Sequence, residues 1–170
     1  MVRIRPWDIG DAPDLAHAIN NPSVLKNLRD GIPYPYTVSD AEAFIRGMLD
    51  AEPDKVYAWA IEVDGRVAGS IAAFRQANIH RCTAEMGYYV GEEFWGRGVA
   101  SRAVYAACNW VFTHTDILRI FAEPFATNGA SCRVLEKAGF QLEGVMRKNA
   151  VKNGEVLDMK LYARIRDQEP

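Results

Sequence analysis

Two glycines stand where a strand-like stretch gives way to a helical pattern, in the segment FWGRGVAS (residues 94–101). Because glycine has no side chain, Gly96 and Gly98 let the backbone N–H groups of a short bend approach another molecule closely. A helix that begins directly after the bend adds its unpaired N–H groups and the positive end of its dipole. The segment therefore predicts a binding site for an anion, and a phosphate group fits such a site best.

Two common phosphate motifs do not match this segment. A Walker loop needs the pattern GxxxxGK[ST], which occurs nowhere in the chain. The dinucleotide fingerprint needs a third glycine at the position of Ser101 and an acidic residue at the end of the next strand. Asp116 has about the right spacing, but it precedes the strand-like residues 117–121. Nucleotide-binding proteins of both kinds are therefore excluded.

The composition excludes several broad classes of function. The chain has 170 residues, a net charge of −2 and a pI of about 5.9. Proteins that bind nucleic acids broadly usually have a basic face instead. No stretch approaches the roughly 20 apolar residues of a membrane span, and residues 1–11 contain no apolar signal region. We expect one domain over residues 1–170, located in the cytoplasm, with neither nucleic acid nor membrane as a partner.

Cysteine and histidine give no sign of a disulfide framework or a metal site. The three cysteines are odd in number, widely spaced and form no CxxC pair, so we expect reduced thiols. The three histidines have no ligand or catalytic-triad spacing, and we predict no metal. These residues are Cys82, Cys108, Cys132, His17, His80 and His114.

Hydrophobic periodicity and turn residues predict a mixed α/β (α+β) fold. Asp64-Gly65 and Asn153-Gly154 are typical turns of β-hairpins. Asp11 is predicted to cap a first helix, and Ser39 or Asp40 to begin another. Strands are predicted at 2–6, 56–63, 66–74, 81–90, 117–125 and on both sides of 153–154; later helices are predicted at 99–112 and 128–137. The resulting order, β, helices, β-β-β, α, β, α, β-β, indicates a sheet with helices on both faces.

The glycine segment resembles the acetyl-CoA pyrophosphate loop of the GNAT N-acetyltransferase superfamily, whose pattern is Q/R-x-x-G-x-G/A. Here the pattern becomes WGRGVA, so that Trp95 replaces the usual glutamine or arginine. An aromatic-Trp-Gly-x-Gly start is similar to the Rim-type branch, which acetylates the N-terminal alanine or serine of ribosomal proteins. Residues 84–90, 128–140 and 139–163 also resemble that branch, and the resemblance runs through most of residues 2–165.

The resemblance implies that acetyl-CoA lies where two adjacent parallel strands splay apart, between 81–90 and 117–124. Gly87 is predicted to supply a bulge that starts the splay. The backbone of Tyr88, Tyr89 and Val90 would hold the pantetheine. The pyrophosphate would lie on the backbone of Gly96, Arg97, Gly98, Val99, Ala100 and Ser101, and the Arg97 side chain would contact a phosphate or remain a solvated charge.

Acetyl transfer to an amine needs a group that removes a proton from the ammonium. On an alternating strand, Glu85 shares a face with Thr83 and Gly87, close to the implied thioester. We predict that Glu85 is the general base and that its neighbours in sequence give it an apolar setting. The alternative is a structural carboxylate that orients a water or the substrate amine.

The departing thiolate of CoA needs a proton donor. Asn128 and Ser131 are three residues apart and face the same side of their helix. The resemblance implies a CoA or substrate contact for Asn128, which otherwise caps the helix, and makes Ser131 the candidate acid. Many family members have a tyrosine at the position of Leu135, so its absence here leaves Ser131 or a bound water.

The amine acceptor is the open part of the prediction. Tyr34, Tyr36 and Trp59 are predicted to form an acceptor wall, because loops carry specificity more often than cores do. The resemblance favours a protein or peptide N-terminus. A small amine (polyamine, amino acid or aminoglycoside) and a non-catalytic acetyl-CoA sensor are the alternatives. A homodimer is the default expectation that the resemblance carries.

Overall fold

A computed structural model describes residues 1–167, which contain seven strands and five α-helices. The strands are β1 Val2–Arg5, β2 Val56–Val63, β3 Arg66–Arg75, β4 Thr83–Val90, β5 Arg119–Ala122, β6 Gln141–Lys152 and β7 Glu155–Ile165. The helices are α1 Ala12–Ile19, α2 Pro22–Leu25, α3 Val38–Leu49, α4 Val99–His114 and α5 Gly129–Lys137. The order of elements agrees with the order that the sequence predicts.

All seven strands form one sheet, in the order β1-β2-β3-β4-β5-β7-β6. Every neighbouring pair is antiparallel except β4 and β5, which are parallel. The predicted mixed, mostly antiparallel sheet is therefore confirmed. The parallel pair lies near the middle of the sheet, where its two strands have the remaining strands on either side.

Helices cover both faces of the sheet, and each face has its own apolar core. One core packs α4 and α5 against the sheet around Ile71, Val104 and Leu135, all fully buried. The other packs α1 and α3 around Leu15 and Ile45. We call these the α4 face and the α1 face. Within residues 1–167 no helix is long and apolar enough to cross a bilayer.

Three local predictions are wrong. Asp11 lies at the N-cap position of α1, but its carboxylate makes no capping bond to that helix, because it pairs with Arg5 and accepts from the Asp8 N–H; Asp8 caps the short 3-10 turn that precedes α1. Thr37, not Ser39 or Asp40, caps α3, because its hydroxyl accepts from the Asp40 N–H in a capping box. The strand predicted at 117–125 is shortened to β5.

The shortening of β5 has a local cause. Pro124 has no N–H and cannot donate to β7, so the regular ladder ends at Ala122. The chain still follows β7 through a bridge at Phe125 and through hydrogen bonds at the Pro124 carbonyl and the Ala126 N–H. The end of β5 matters for the site, because β4 runs on to Val90 while the chain after β5 follows β7.

Candidate functional site

A slot opens in the sheet between β4 and β5. The two strands pair only from Thr83 to Glu85, opposite Arg119 to Phe121, although β4 continues to Val90. The predicted splay between 81–90 and 117–124 is therefore present. The predicted bulge at Gly87 is wrong, because β4 pairs with β3 in unbroken register through this glycine. The slot arises because β4 stays paired with β3 while the chain after Phe121 stays bonded to β7 as far as Ala126, so that the two strands diverge beyond Glu85.

The backbone of β4 presents unpaired groups to this slot. The Gly91 N–H donates to the Ala68 carbonyl, and the Gln76 N–H donates to the Thr83 carbonyl. Hydrogen-bonded positions alternate along an antiparallel strand, so the odd-numbered residues of β4 bond to β3. The even-numbered residues turn their N–H and C=O groups toward the slot. Beyond the last pair with β5 these are Met86, Tyr88 and Val90.

This alternation corrects the predicted pantetheine contacts. The backbone of Tyr89 faces β3, where its partner is Ser70, so it cannot bond to a ligand in the slot. The carbonyl of Val90 accepts a hydrogen bond from the Trp95 indole N–H at 2.7 Å. Trp95 therefore ties the glycine loop to the end of β4. The backbone of Tyr88 and the N–H of Val90 remain free for a ligand.

The glycine loop at the open end of the slot has the geometry that its sequence predicts. Gly96 and Gly98 have φ angles of 72° and 71°, in the left-handed region that favours glycine. Gly98 is the N-cap of α4, and the first hydrogen bond of the helix runs from the Arg102 N–H to the Gly98 carbonyl. The N–H groups of residues 99–101 consequently have no partner within the helix and point out of its positive end.

Arginines surround this helix end. The Arg97 guanidinium lies over the Phe94 ring, 5.7 Å from its centroid, which holds the side chain beside the loop. The Arg102 guanidinium donates to the Arg97 carbonyl at 3.4 Å. These contacts place positive charge next to the free N–H groups without using them.

Two hydroxyl groups meet on the α4 face of the slot. The Tyr88 hydroxyl lies 2.7 Å from the Ser131 Oγ, and burial raises the pKa of Tyr88, so its phenol stays protonated. Asn128 caps α5, since its Oδ1 accepts from the Ser131 N–H at 3.2 Å. The cap fixes Ser131 opposite β4. Leu135 is fully buried in the α4-face core.

Two carboxylates meet on the α1 face of the slot. The same nitrogen of Arg29, Nη2, forms an ion pair with Glu85 and lies 3.9 Å from the Glu123 Oε2. Glu85 comes from the last residue of β4 that pairs with β5, and Glu123 directly follows β5. One cationic nitrogen thus bridges carboxylates from both strands that border the slot.

The setting of these carboxylates differs from the prediction. Ala84, Met86 and Tyr88 point to the α4 face, so they do not give Glu85 the apolar surroundings expected from its neighbours in sequence. The pKa of the Glu123 carboxyl is raised. Burial raises the pKa of Glu123, the charge of Glu85 raises it further, and the Arg29 guanidinium lowers it.

The three aromatic residues predicted as an acceptor wall do not come together. Trp59 is buried on the α4 face, with its ring 5.2 Å from that of Trp110. Tyr36 is buried on the α1 face, where it lines a cavity of about 240 Å³ together with Tyr89. Tyr34 is exposed on the loop that precedes α3. Trp59 is separated from the other two by the sheet itself, and that part of the prediction is wrong.

Sequence reasoning missed Glu123, Arg29 and the side chain of Tyr88. Glu123 carried one usable signal, since it follows the strand predicted to border acetyl-CoA. Arg29 lies in an irregular loop, 56 residues from Glu85, and no local pattern links the two. For Tyr88 only a backbone contact was predicted. Because side chains alternate along a strand, the sequence already places the side chains of Tyr88 and Glu85 on opposite faces of the sheet.

Comparison with known proteins agrees with this geometry. Residues 2–141 match the family described as Acetyltransferase (GNAT) domain. The uncharacterized N-acetyltransferase YoaA of Bacillus subtilis is 35% identical over 65% of this chain, and the match spans 63% of YoaA. The spermidine N(1)-acetyltransferase of Escherichia coli K12 is 25% identical over 91% of this chain and 80% of its own length.

A solved structure gives the same result for the fold. RimL, a ribosomal L7/L12 alpha-N-protein acetyltransferase in complex with coenzyme A, superposes with a TM-score of 0.85 at 25% identity. The superposition covers 96% of this chain and 93% of RimL. The matched family extends over the glycine loop, the slot and both groups of side chains that border it. The chain belongs to the GNAT acetyltransferase family.

Proposed function

We propose that this protein transfers the acetyl group of acetyl-CoA to a primary amine, by direct attack and without an acyl-enzyme. One observation carries the proposal. The β4–β5 slot has carboxylates on its α1 face and hydroxyl groups on its α4 face. An amine that reaches a thioester in the slot from the α1 face meets proton acceptors, and the departing sulfur meets proton donors on the other side.

Acetyl-CoA would bind through backbone groups. Its pyrophosphate would lie on the N–H groups of residues 96–101, with the Arg97 guanidinium beside it. Its pantetheine would pair with the free backbone of Tyr88 and the N–H of Val90, as an added strand does at a sheet edge. A free N–H of β4 would also polarise the thioester carbonyl.

The acceptor reaches the site as an ammonium ion. Its positive charge would replace the Arg29 guanidinium between Glu85 and Glu123, and one of the two carboxylates would take its proton. Glu123 is suited to this step, because burial and the charge of Glu85 raise its pKa. Glu85 would then position the amine.

The transfer itself follows. The neutral amine nitrogen attacks the thioester carbon, the nitrogen releases its second proton as the C–S bond breaks, and the CoA sulfur that leaves as a thiolate takes up one proton, so that the products are the amide and the CoA thiol. Ser131 would donate a proton or a hydrogen bond to that sulfur, and the Tyr88 hydroxyl at 2.7 Å would support it. Asn128 would act through its cap of α5, which orients Ser131.

The favoured acceptor is a protein or peptide N-terminus. The similarity to RimL supports it, and so does the exposed position of Gly87 on β4, which brings no side chain of its own and has the Phe74 ring as its nearest neighbour. A small amine is the second candidate, because the chain is also similar to a spermidine N(1)-acetyltransferase over most of its length.

Release of free thiol tests the reaction. Purified protein would receive acetyl-CoA and a panel of N-terminal peptides, polyamines, amino acids and aminoglycosides, with E85Q measured in parallel. We expect acceptor-dependent thiol release, reduced about 100-fold in the variant because the amine is no longer held in position. If calorimetry detects acetyl-CoA binding but no acceptor releases thiol, a non-catalytic sensor replaces the enzyme as the explanation. Release with small amines alone would overturn the peptide acceptor.

A further inference from the structure

A second cavity lies beside the carboxylates, under the loop that joins α2 to α3. It measures about 290 Å³, near the lower end of small-ligand pockets. The loop lines it with Arg29 and Asp30, and the sheet side lines it with Glu123 and Lys152. The cavity therefore begins at the proposed acceptor amine site and ends at the β6–β7 hairpin.

The charges in this cavity are paired in a fixed order. Arg29 pairs with Glu85 and Glu123, while the next residue, Asp30, accepts from Lys152 at 2.7 Å. The loop thus presents a cation followed by an anion. The sheet side presents a carboxylate pair followed by a lysine. The sheet side is accordingly complementary to any molecule that carries an ammonium group and a carboxylate a short distance apart.

The two sides differ in how firmly they are held. The loop side chains are exposed, at 66% for Arg29 and 78% for Asp30. The side chains on the sheet are mostly covered, at 26% for Glu123 and 13% for Lys152. Exposed partners of surface ion pairs are displaced at little cost, typically below about 1 kcal/mol. The loop pair can therefore leave while the sheet residues remain in place.

We infer that the acceptor is a zwitterion, and that Arg29 and Asp30 occupy its place in the free protein. Its ammonium replaces Arg29 between Glu85 and Glu123, and its carboxylate replaces Asp30 at Lys152. Two molecules have this chemistry: an N-terminus followed closely by an acidic residue, and a free amino acid. A polyamine does not, because its second ammonium would lie against Lys152. The inference rests on the proposed function and names its substrate class.

Matched acceptors test it. Acetyl transfer would be measured with amidated peptides that begin Ala-Glu, Ala-Gln or Ala-Lys, with free amino acids and with spermidine. We expect kcat/KM to be about 100-fold higher for Ala-Glu than for Ala-Lys peptides, with K152E reversing the order. K148E makes the same change of charge on β6 outside the cavity and is expected to keep the preference of the natural protein. A preference for free amino acids over Ala-Glu peptides would identify the source of the carboxylate.

Calorimetry with the CoA-loaded protein separates recognition from catalysis. Tighter binding of Ala-Glu than of Ala-Lys peptides, lost in K152E, would support the inference even if no acceptor were acetylated, and the proposed function alone would then fail. The inference would be overturned if the rate of thiol release did not depend on the second residue of the peptide, or if K152E kept the preference for Ala-Glu over Ala-Lys peptides. Either result would leave the proposed function intact. Equal binding of all peptides without turnover would overturn both.

Discussion

Two arginine–carboxylate clusters lie on the α1 face of the same sheet, and they are built differently. In the first, Glu62 on β2 accepts from Arg3 at 2.6 Å and from Arg5 at 2.5 Å. Arg5 also holds the Asp11 carboxylate through two hydrogen bonds of 2.8 Å. Both carboxylates are buried, and both have their pKa lowered by these bonds. This cluster joins β1 and β2 to the start of α1.

In the second cluster, the carboxylates outnumber the cation. Arg29 alone faces Glu85 and Glu123, and it approaches from an exposed loop. Glu123 has a raised pKa, in contrast to the lowered pKa of Glu62. A cluster that is fully paired by residues of the sheet stabilises the fold. The cation of the second cluster can leave, and its two carboxylates then have no counter-charge. Such a cluster is suited to binding an ammonium ion.

The largest effect is expected from E123Q. The amide retains the shape of the side chain but loses the charge and the ability to take a proton. We expect kcat/KM for acetyl transfer to fall by about 100-fold to 1,000-fold, with the melting temperature almost unchanged. E143Q removes another carboxylate that pairs with an arginine, Arg119, and serves as the control. A loss of stability comparable to the loss of activity would place Glu123 with the structural cluster instead.

E62Q is expected to lower the stability of the fold while it leaves the activity unchanged. The variant leaves Arg3 and the half-buried Arg5 without the carboxylate that both contact. Removing one partner of a buried ion pair is destabilising, and we expect about 2 kcal/mol less free energy of unfolding. Denaturant titration measures the change. Activity per folded molecule should be retained, and its loss would show that the two clusters are coupled.

Acidification should cancel the effect of E62Q. The pKa of Glu62 is about 2 in the folded protein, below the ordinary value of 4.5. The contribution of Glu62 to the free energy of unfolding is therefore complete above its pKa in the unfolded chain, and it is lost as the pH falls from about 4.5 toward about 2. We expect unfolding curves of the natural protein and of E62Q to converge over this range. Curves that stay apart would mean that the carboxylate stabilises by packing rather than by charge.

The smallest effect is expected from R29Q. Because the Arg29 guanidinium lowers the pKa of Glu123, its removal should raise that pKa. A carboxylate with a higher pKa loses its proton at higher pH, so the acidic limb of the pH profile of kcat/KM should move upward. R46Q disrupts the exposed pair of Arg46 with Glu42 and should leave the limb in place. A limb that moves downward would exclude Glu123 as the group that titrates.

Features that depend on short stretches of chain were predicted well from the sequence. The order of elements, both hairpins and the left-handed glycines of the loop at 96–98 follow from residues within a few positions of one another. The Asn128 cap is of the same kind. Local errors arose where two capping residues competed, as at Thr37 and Ser39, or where one proline ended a strand early.

The amino-acid sequence by itself determined the family, the anion-binding loop and the alternation that places Glu85 and Tyr88 on opposite faces of the slot. Only the tertiary structure decided which side chains meet there. Arg29 reaches Glu85 across 56 residues, and Tyr88 reaches Ser131 across 43. The same folding separates Trp59 from Tyr36 by the thickness of the sheet. Local conformation is set by backbone sterics and by capping within a turn. Contacts between residues far apart in the sequence depend instead on how distant elements pack.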